Sequence, residues 1–209
     1  MRNRILGLLG LCLAAAALAS CGTSTRFTDI WKDPATTTLT YEKVAVVAIT
    51  ADQTMRKVAE DEMAAAITKN GKQGVAAYTL IDPSMEKDVD ASLAKIKESG
   101  CQGVLTMRVV GVDEKTTYVP GSYVSTTAYP PSYYSFGGYY GYAMPTVYEP
   151  GYNMTSKYVM VETNIYRLSD DKLIWSGRSE TVDPASAGDL VRSIAKEGGL
   201  VVHRQFQIK

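Results

Sequence analysis

The stretch 44-VAVVAI-49 is apolar at every position, and residues 53–70 follow it with apolar side chains at helical spacing. A strand that is apolar on both alternating faces is typical of the interior of a sheet that is covered on both sides. The helical stripe consists of Met55, Ala59, Met63, Ala66 and Ile67. Gly71 is a typical helix stop. A buried strand followed by a helix predicts an α/β domain.

Further elements follow at short intervals. Residues 74–81 predict a second strand, which ends at Asp82-Pro83. Val89, Leu93 and Ile96 predict a short second helix that ends at Gly100, and residues 104–112 predict a third strand. Strands that alternate with helices over short connections favour right-handed crossovers and a parallel or mixed sheet.

The second half of the chain has a different pattern. Residues 157–168 alternate between apolar and polar, and residues 173–176 come directly after a Ser-Asp-Asp turn, so the two runs predict a β-hairpin. Residues 185–209 predict one last helix, with Gly198-Gly199 inside it. The fold prediction is therefore a mixed α/β domain of two or three layers, in the order β-α-β-α-β-insert-β-β-α.

Charge and composition exclude several classes of protein. The 209 residues include 22 basic and 22 acidic side chains, so no net field attracts nucleic acid. With 45% hydrophobic and 21% charged residues, the composition is that of an ordinary globular protein. One histidine and three cysteines are too few for a typical zinc site, and no cofactor is predicted.

Residues 1–20 have the pattern of a secretory signal. Arg2 and Arg4 precede an uncharged run from residue 5 to residue 17 that is short for a membrane span. The run ends in Leu18-Ala19-Ser20-Cys21, which resembles the lipobox of bacterial lipoproteins and implies lipidation of Cys21 after cleavage. An uncleaved anchor and a cleaved signal with a free cysteine are the alternatives. Gly22 in place of aspartate implies the outer membrane, with the protein facing the periplasm.

Residues 21–40 are rich in threonine and are interpreted as a tether that Phe27, Ile30 and Trp31 dock in part onto the domain. The single domain then spans residues 41–209. If Cys21 is lipidated, Cys101 has no disulfide partner in the mature chain, and it is predicted to be a buried small hydrophobe.

Residues 118–156 interrupt the domain with a Tyr/Pro/Gly-rich insert whose only charged residue is Glu149. Proline and glycine at this density prevent a continuous helix or central strand, so the insert is predicted to be a flexible loop. Tyrosine combines an apolar ring with a hydroxyl and is enriched at interfaces. Candidate contact residues are Tyr133, Tyr134, Tyr139 and Tyr140.

The strand at 44–49, the hairpin segments 161–166 and 172–176 and Trp31-Lys32-Asp33-Pro34 carry a resemblance to known families. The chain resembles uncharacterised proteobacterial outer-membrane lipoproteins that share the WKDP segment and an aromatic insert. More distantly, it is similar to the periplasmic α/β domain of the curli secretion channel, of penicillin-binding-protein activators and of the Tol propeller protein's N-terminal part. The resemblance implies a binding or assembly module.

Motifs for catalysis are weak. His203 lies in the predicted last helix, and no nucleophile elbow accompanies it. The acidic groups 60–62, 88/90 and 170–171 are predicted to lie on a helix surface, at a helix start and in a turn. Arg56 is expected to pair with Glu60 on that helix surface. No catalytic residue is predicted.

The functional prediction is a non-enzymatic lipoprotein of the cell envelope that contacts an envelope protein or peptidoglycan through its insert. One alternative is an envelope hydrolase that uses acids such as Glu60 or Asp90. The other is a surface lipoprotein that self-assembles through residues 118–156.

Overall fold

The computed structural model describes residues 23–85, 88–123 and 148–208. The chain forms two compact units, here called unit 1 and unit 2. Unit 1 combines Met1–Asp113 with Tyr158–Lys209, and unit 2 is Glu114–Lys157. Each unit is described by itself.

In the described part of the chain, the main sheet has six strands, and three helices accompany it. Its strands are β1 Ser24–Lys32, β3 Lys43–Ala48, β4 Gln73–Ala76, β5 Gly103–Val119, β8 Tyr152–Arg167 and β9 Lys172–Val182. The helices are α1 Gln53–Lys69, α2 Val89–Glu98 and α3 Ala187–Gln205. Two-stranded ladders join β2 Thr38–Leu39 to β10 Gln207–Ile208 and β6 Ser122–Tyr123 to β7 Tyr148–Glu149.

The strand order is β1-β9-β8-β5-β3-β4. Strand β3 pairs in parallel with β4 and β5, whereas β9 pairs antiparallel with β1 and β8. The mixed α/β prediction is therefore confirmed, with the parallel part built from the first half of the chain. The long hairpin of β8 and β9 was also predicted, although both strands extend beyond the predicted limits.

Helices α1 and α3 pack on one side of the sheet. Their residues Met63 and Ile194 join Val46, Met107 and Val161 in one buried cluster. Helix α2 lies on the other side, where Ile96 packs with Ala45 and Val104. Within the described residues, α2 therefore covers the second side of the sheet near β3, β5 and the β8–β9 turn, as the apolar 44–49 run predicts for β3.

The second predicted strand is too long. Strand β4 ends at Ala76, and Ala77–Thr79 form a single 3-10 turn. The Thr79 hydroxyl donates to the Ala76 carbonyl at 2.6 Å, and the N–H of Ile81 donates to the Ala77 carbonyl at 2.9 Å. Ala77 and Ile81 are buried beside α2, so their apolar character reflects packing of a turn rather than a strand.

Part of the predicted tether is an edge strand. Residues 24–32 form β1, which pairs antiparallel with β9 from Ser24 opposite Val182 to Lys32 opposite Trp175. Thr25 and Phe27 point into the core, and the register shifts between Phe27 and Asp29. The threonine content that indicated a tether is equally suited to a strand, because threonine is β-branched.

The pair Arg56 and Glu60 is buried rather than on the surface, with 6% and 0% of each residue exposed. Glu60 Oε1 accepts from Arg56 Nε at 3.0 Å and from the Ala48 N–H at 3.1 Å. Glu60 Oε2 accepts from the Tyr78 N–H at 2.7 Å. The end of β3 and the 3-10 turn cover this side of α1, so the carboxylate joins three elements.

Several smaller predictions are confirmed. Helix α3 is continuous through Gly198-Gly199, Cys101 is buried, and Gly100 has a φ of +80° after α2.

Strands β5 and β8 extend into the predicted insert, so the ends of 118–156 are strand rather than loop. Positions 124–147 lie outside the described residues. No helix in the described part of the chain is long and apolar enough to cross a membrane.

Asp33 organises the turn after β1. Its Oδ2 accepts from the Thr36 hydroxyl at 2.6 Å and from Lys172 Nζ at 3.0 Å, and the residue is 5% exposed. These two donors, the hydroxyl first, lower the pKa of the Asp33 carboxyl below its ordinary value. The ionised form is therefore favoured in the folded state.

We expect Asp33→Asn to lower the melting temperature at pH 7. A lowered pKa stabilises the fold above the unfolded-state value of 3.8, and this stabilisation is lost as the pH falls through the folded-state value. The difference in melting temperature between wild type and variant should therefore shrink in acid. Thermal unfolding at neutral and acidic pH measures it, with Thr36→Val as the companion variant that removes the main donor. A difference that stays constant with pH would contradict this account.

Candidate interaction face

One side of the antiparallel part of the sheet carries no helix in the described residues of unit 1. Strands β1, β9 and β8 direct Thr25, Phe27, Thr181 and Val161 toward the α1 and α3 side. The alternate residues point to the opposite side, where α2 packs only near β3, β5 and the β8–β9 turn. We call this uncovered side the interaction face.

A row of four charged side chains crosses the interaction face. In the strand register, Asp29 of β1 lies opposite Arg178 of β9, and Arg178 lies opposite Glu162 of β8. Arg178 Nη1 is 3.7 Å from Asp29 Oδ2, and Arg108 Nη2 of β5 is 3.4 Å from Glu162 Oε1. The signs alternate across four strands. The row therefore offers both charges within a small area.

Different groups flank the row on its two sides. On one side Arg26 donates to Glu180 Oε1 through Nε at 3.1 Å and Nη2 at 2.7 Å. On the other side Trp31 lies opposite Ser176, and Ser176 lies opposite Asn164. Asn164 Nδ2 donates to Glu162 Oε1 at 3.3 Å, and Trp31 is 46% exposed. The accessible indole of Trp31 thus lies beside a hydroxyl, an amide and a carboxylate, which can donate and accept hydrogen bonds.

A shallow depression of about 380 Å³ lies in the interaction face. It is lined by Asp29, Ile30, Trp31, Glu162, Ser176 and Arg178. Sites for small molecules bury most of the ligand in a cleft or cavity. An open, shallow surface of this kind is better suited to a macromolecule.

The WKDP segment divides between structure and surface. Lys32 Nζ donates to the Gln205 carbonyl at 2.8 Å and lies 4.6 Å from the centroid of the Phe206 ring. Asp33 holds the following turn. Lys32 therefore positions the end of β1 against the end of α3, Asp33 ties the turn after β1 to Lys172 of β9, and Trp31 remains available on the interaction face.

Among the residues singled out from the sequence, His203 and Asp90 are described by the structure, and both lie on helices rather than on the interaction face. Cys21, Tyr133, Tyr134, Tyr139 and Tyr140 lie outside the described residues. His203 is exposed on α3, and Asp90 lies in the first turn of α2 behind the N-cap Asp88. Within residues 23–85, 88–123 and 148–208, no three His, Cys, Asp or Glu side chains are grouped as metal ligands.

Sequence reasoning missed Asp29, Arg178, Glu162 and Arg108. A signal was present, because burial of Val159, Val161, Thr163 and Ile165 on one face of β8 places Glu162 and Asn164 on the other. Polar residues at those alternate positions indicate a water-facing side. The partners on β1, β9 and β5 depend on strand order and register, which one sequence does not provide.

No family model and no curated protein matches the chain. Among solved structures, it is similar to the PelC dodecamer from Paraburkholderia phytofirmans, with 16% identity, 90% of this chain and 99% of that chain covered, and a TM-score of 0.45. It is also similar to the lipoprotein GNA1162 from Neisseria meningitidis, with 12% identity, 78% and 98% coverage, and a TM-score of 0.40. With identities under 25% and TM-scores under 0.5, these likenesses assign no binding partner to the chain.

Proposed function

We propose that this protein is a non-enzymatic lipoprotein of the bacterial cell envelope. It is held by acyl chains on Cys21 in the outer membrane, faces the periplasm, and binds another envelope protein through the interaction face. The row of alternating charges beside the exposed Trp31 on an uncovered sheet side supports the binding role. The Leu18-Ala19-Ser20-Cys21 motif supports the anchoring.

The chemistry of the face supports a protein partner. Arginine and aromatic side chains are enriched at the centres of protein interfaces, where tryptophan, tyrosine and arginine dominate the binding energy. The interaction face offers Arg178 and Arg108 next to Trp31. Because Asp29 and Glu162 alternate with the two arginines, a complementary partner has to present positive and negative side chains at matching positions. This requirement makes binding specific.

The buried location of Glu60 does not support the hydrolase alternative at that residue. Both carboxylate oxygens accept hydrogen bonds from Arg56, Ala48 and Tyr78, and the side chain has no exposed surface. A general acid has to reach the substrate proton that it transfers. Glu60 is therefore assigned a structural role.

We expect Cys21→Ala to abolish acylation, because the Cys21 thiol is the group that would receive the lipid. Stable lipid anchoring depends on two or more acyl chains, so the variant should also lose its retention in the outer membrane. Incorporation of labelled palmitate and fractionation of cells measure the effect. Ser20→Ala, which keeps the cysteine, is the control. Persistence of the label on the Cys21→Ala protein would contradict the assignment.

We expect Arg178→Glu to disrupt partner binding without unfolding the protein. Arg178 is exposed at the centre of the row, and the change places a third carboxylate between Asp29 and Glu162. Loss of a central interface arginine costs about 2 kcal/mol or more, which corresponds to roughly 30-fold weaker binding. A photo-crosslinking amino acid at Ser176 identifies the partner in cells, and titration of the purified pair measures affinity.

Arg204→Glu is the matched control for that experiment. Arg204 is exposed in the last turn of α3, so the variant has the same change in charge away from the interaction face. Equal weakening by the two variants would indicate a non-specific charge effect. Crosslinks from Ser176 to peptidoglycan, with no protein captured, would replace the proposed partner by a glycan.

A further inference from the structure

The row of charges on the interaction face is complementary to itself. Its order across the sheet is Asp29 on β1, Arg178 on β9, Glu162 on β8 and Arg108 on β5. The signs are negative, positive, negative and positive, and the reverse order of the row is positive, negative, positive and negative. A second copy turned by 180° therefore presents the opposite sign to each of the four side chains.

The four side chains are accessible to a second copy. Their exposed fractions are 73% for Asp29, 50% for Arg178, 54% for Arg108 and 28% for Glu162. The ion pairs within the chain are long, at 3.7 Å between Asp29 and Arg178 and 3.4 Å between Arg108 and Glu162. A guanidinium group has five N–H donors and a carboxylate accepts several hydrogen bonds, so these pairs leave capacity for a further partner.

We propose that the partner of the interaction face is a second copy of this chain, packed face to face about a two-fold axis between β8 and β9. The inference rests on the interaction face of the proposed function and names the protein that binds it. Stacked sheets lie about 10 Å apart, a gap that is filled by side chains from both sheets. Arg178 then faces Glu162 of the second copy, and Asp29 faces Arg108 of the second copy. Each contact occurs twice, because a two-fold interface uses the same surface of both copies.

The charges decide the direction of the two-fold axis. An axis parallel to the strands reverses the row, so that opposite signs face each other. An axis across the strands keeps the row in its own order, so that Asp29 faces Asp29 and Arg178 faces Arg178 of the second copy. Like charges placed against each other are strongly unfavourable in an interface. The axis therefore runs parallel to the strands.

The proposed anchor favours the same axis. The chain is fixed to unit 1 at Thr23, whose hydroxyl donates to Asp189 and whose carbonyl accepts from Ser193 Oγ at 3.3 Å. Cys21 is two residues before Thr23, so a lipid on it is attached next to the end of the sheet where β1 begins. An axis parallel to the strands points this end the same way in both copies, which lets both be anchored in one membrane. An axis across the strands points the two ends in opposite directions.

Charge exchange between two variants tests the dimer in the full-length protein. Two versions with different affinity tags are expressed together, one is captured in mild detergent, and the amount of the other is measured. Arg178→Glu puts a carboxylate against Glu162 of the second copy, and Glu162→Arg puts a guanidinium group against Arg178. We expect co-capture to fall about tenfold when both versions carry Arg178→Glu or both carry Glu162→Arg. One version with each change should restore co-capture, because opposite charges then meet at both contacts.

Asp29→Arg is the matched control for the mixed pair. It changes the charge by the same amount as Glu162→Arg, but its new guanidinium group faces Arg108 of the second copy. In combination with Arg178→Glu it should therefore not restore co-capture. Restoration by Asp29→Arg as well would show an attraction between net charges only and would overturn the inference.

The outcomes separate this inference from the proposed function. If wild-type copies are not captured together, while Ser176 crosslinks to a different envelope protein, only the inference of a second copy is wrong. If Arg178→Glu changes neither co-capture nor the crosslinks from Ser176, the interaction face itself is wrong, and the inference fails with it.

Discussion

Replacing Glu60 with alanine is expected to lower the free energy of unfolding by about 3–5 kcal/mol, because it breaks the buried ion pair that Glu60 forms with the Arg56 guanidinium. The same change removes the acceptor of two backbone donors, the N–H groups of Ala48 and Tyr78. A buried donor that loses its partner costs about 1–3 kcal/mol when water cannot replace it. Denaturant unfolding of the unlipidated protein measures the change.

Two companion variants separate the causes of that loss. Glu60→Gln keeps the shape and one acceptor oxygen, so it should cost less than Glu60→Ala. Glu62→Ala removes a partly exposed partner of Arg192 on the same helix and should cost about 1 kcal/mol or less. Equal losses for Glu60→Ala and Glu62→Ala would show that the buried pair contributes no more than an exposed one.

Local pattern was sufficient to predict much of unit 1. The VAVVAI strand, the β8–β9 hairpin and the last helix each carry a pattern that matches their burial. In the helix after VAVVAI only Ala59 and Met63 of the predicted stripe are buried, and Met55 is 42% exposed. The N-cap Asp88 and the positive φ of Gly100 likewise follow from local chemistry. These features depend on interactions within a few residues, which a single sequence records directly.

Features that depend on distant segments were missed. Residues 24–32 are a strand only because β9, about 150 positions later, offers its edge. Glu60 appears polar and exposed on a helical wheel, yet Ala48 and Tyr78 come from two other elements to bury it. A helix-surface interpretation was reasonable for the isolated helix, and tertiary packing overrode it.

The interaction face likewise depends on how distant segments of the chain pack together. Helices α1 and α3 pack on one side of the sheet, whereas α2 on the other side packs near β3, β5 and the β8–β9 turn. In the described part of unit 1, this leaves the outward side of β1, β9 and the middle of β8 to solvent. Antiparallel strands tolerate one solvated side, and alternating charges such as Asp29, Arg178 and Glu162 keep it soluble.

Alanine substitution of the two tryptophans of the chain should affect different properties, namely stability for Trp175 and partner binding for Trp31. Trp175 is 1% exposed, lies edge-to-face against Phe27 at 5.7 Å, and donates through Nε1 to Gln205 Oε1 at 2.8 Å. The ring thus joins β9 to β1 and to the end of α3. We expect Trp175→Ala to cost about 3–5 kcal/mol of stability, the usual range for a buried aromatic side chain.

Trp31→Ala is the matched variant, and its expected effect lies in binding. Its indole is half exposed on the interaction face, so removing it should change stability by less than about 1 kcal/mol. An aromatic residue at an interface centre contributes about 2 kcal/mol or more, so affinity for the protein captured from Ser176 should fall roughly 30-fold. Unfolding and binding measurements on both variants test whether Trp175 contributes to stability and Trp31 to binding. If Trp31→Ala destabilised the fold as much as Trp175→Ala, Trp31 would belong to the core, and the interaction face would lose its aromatic contact.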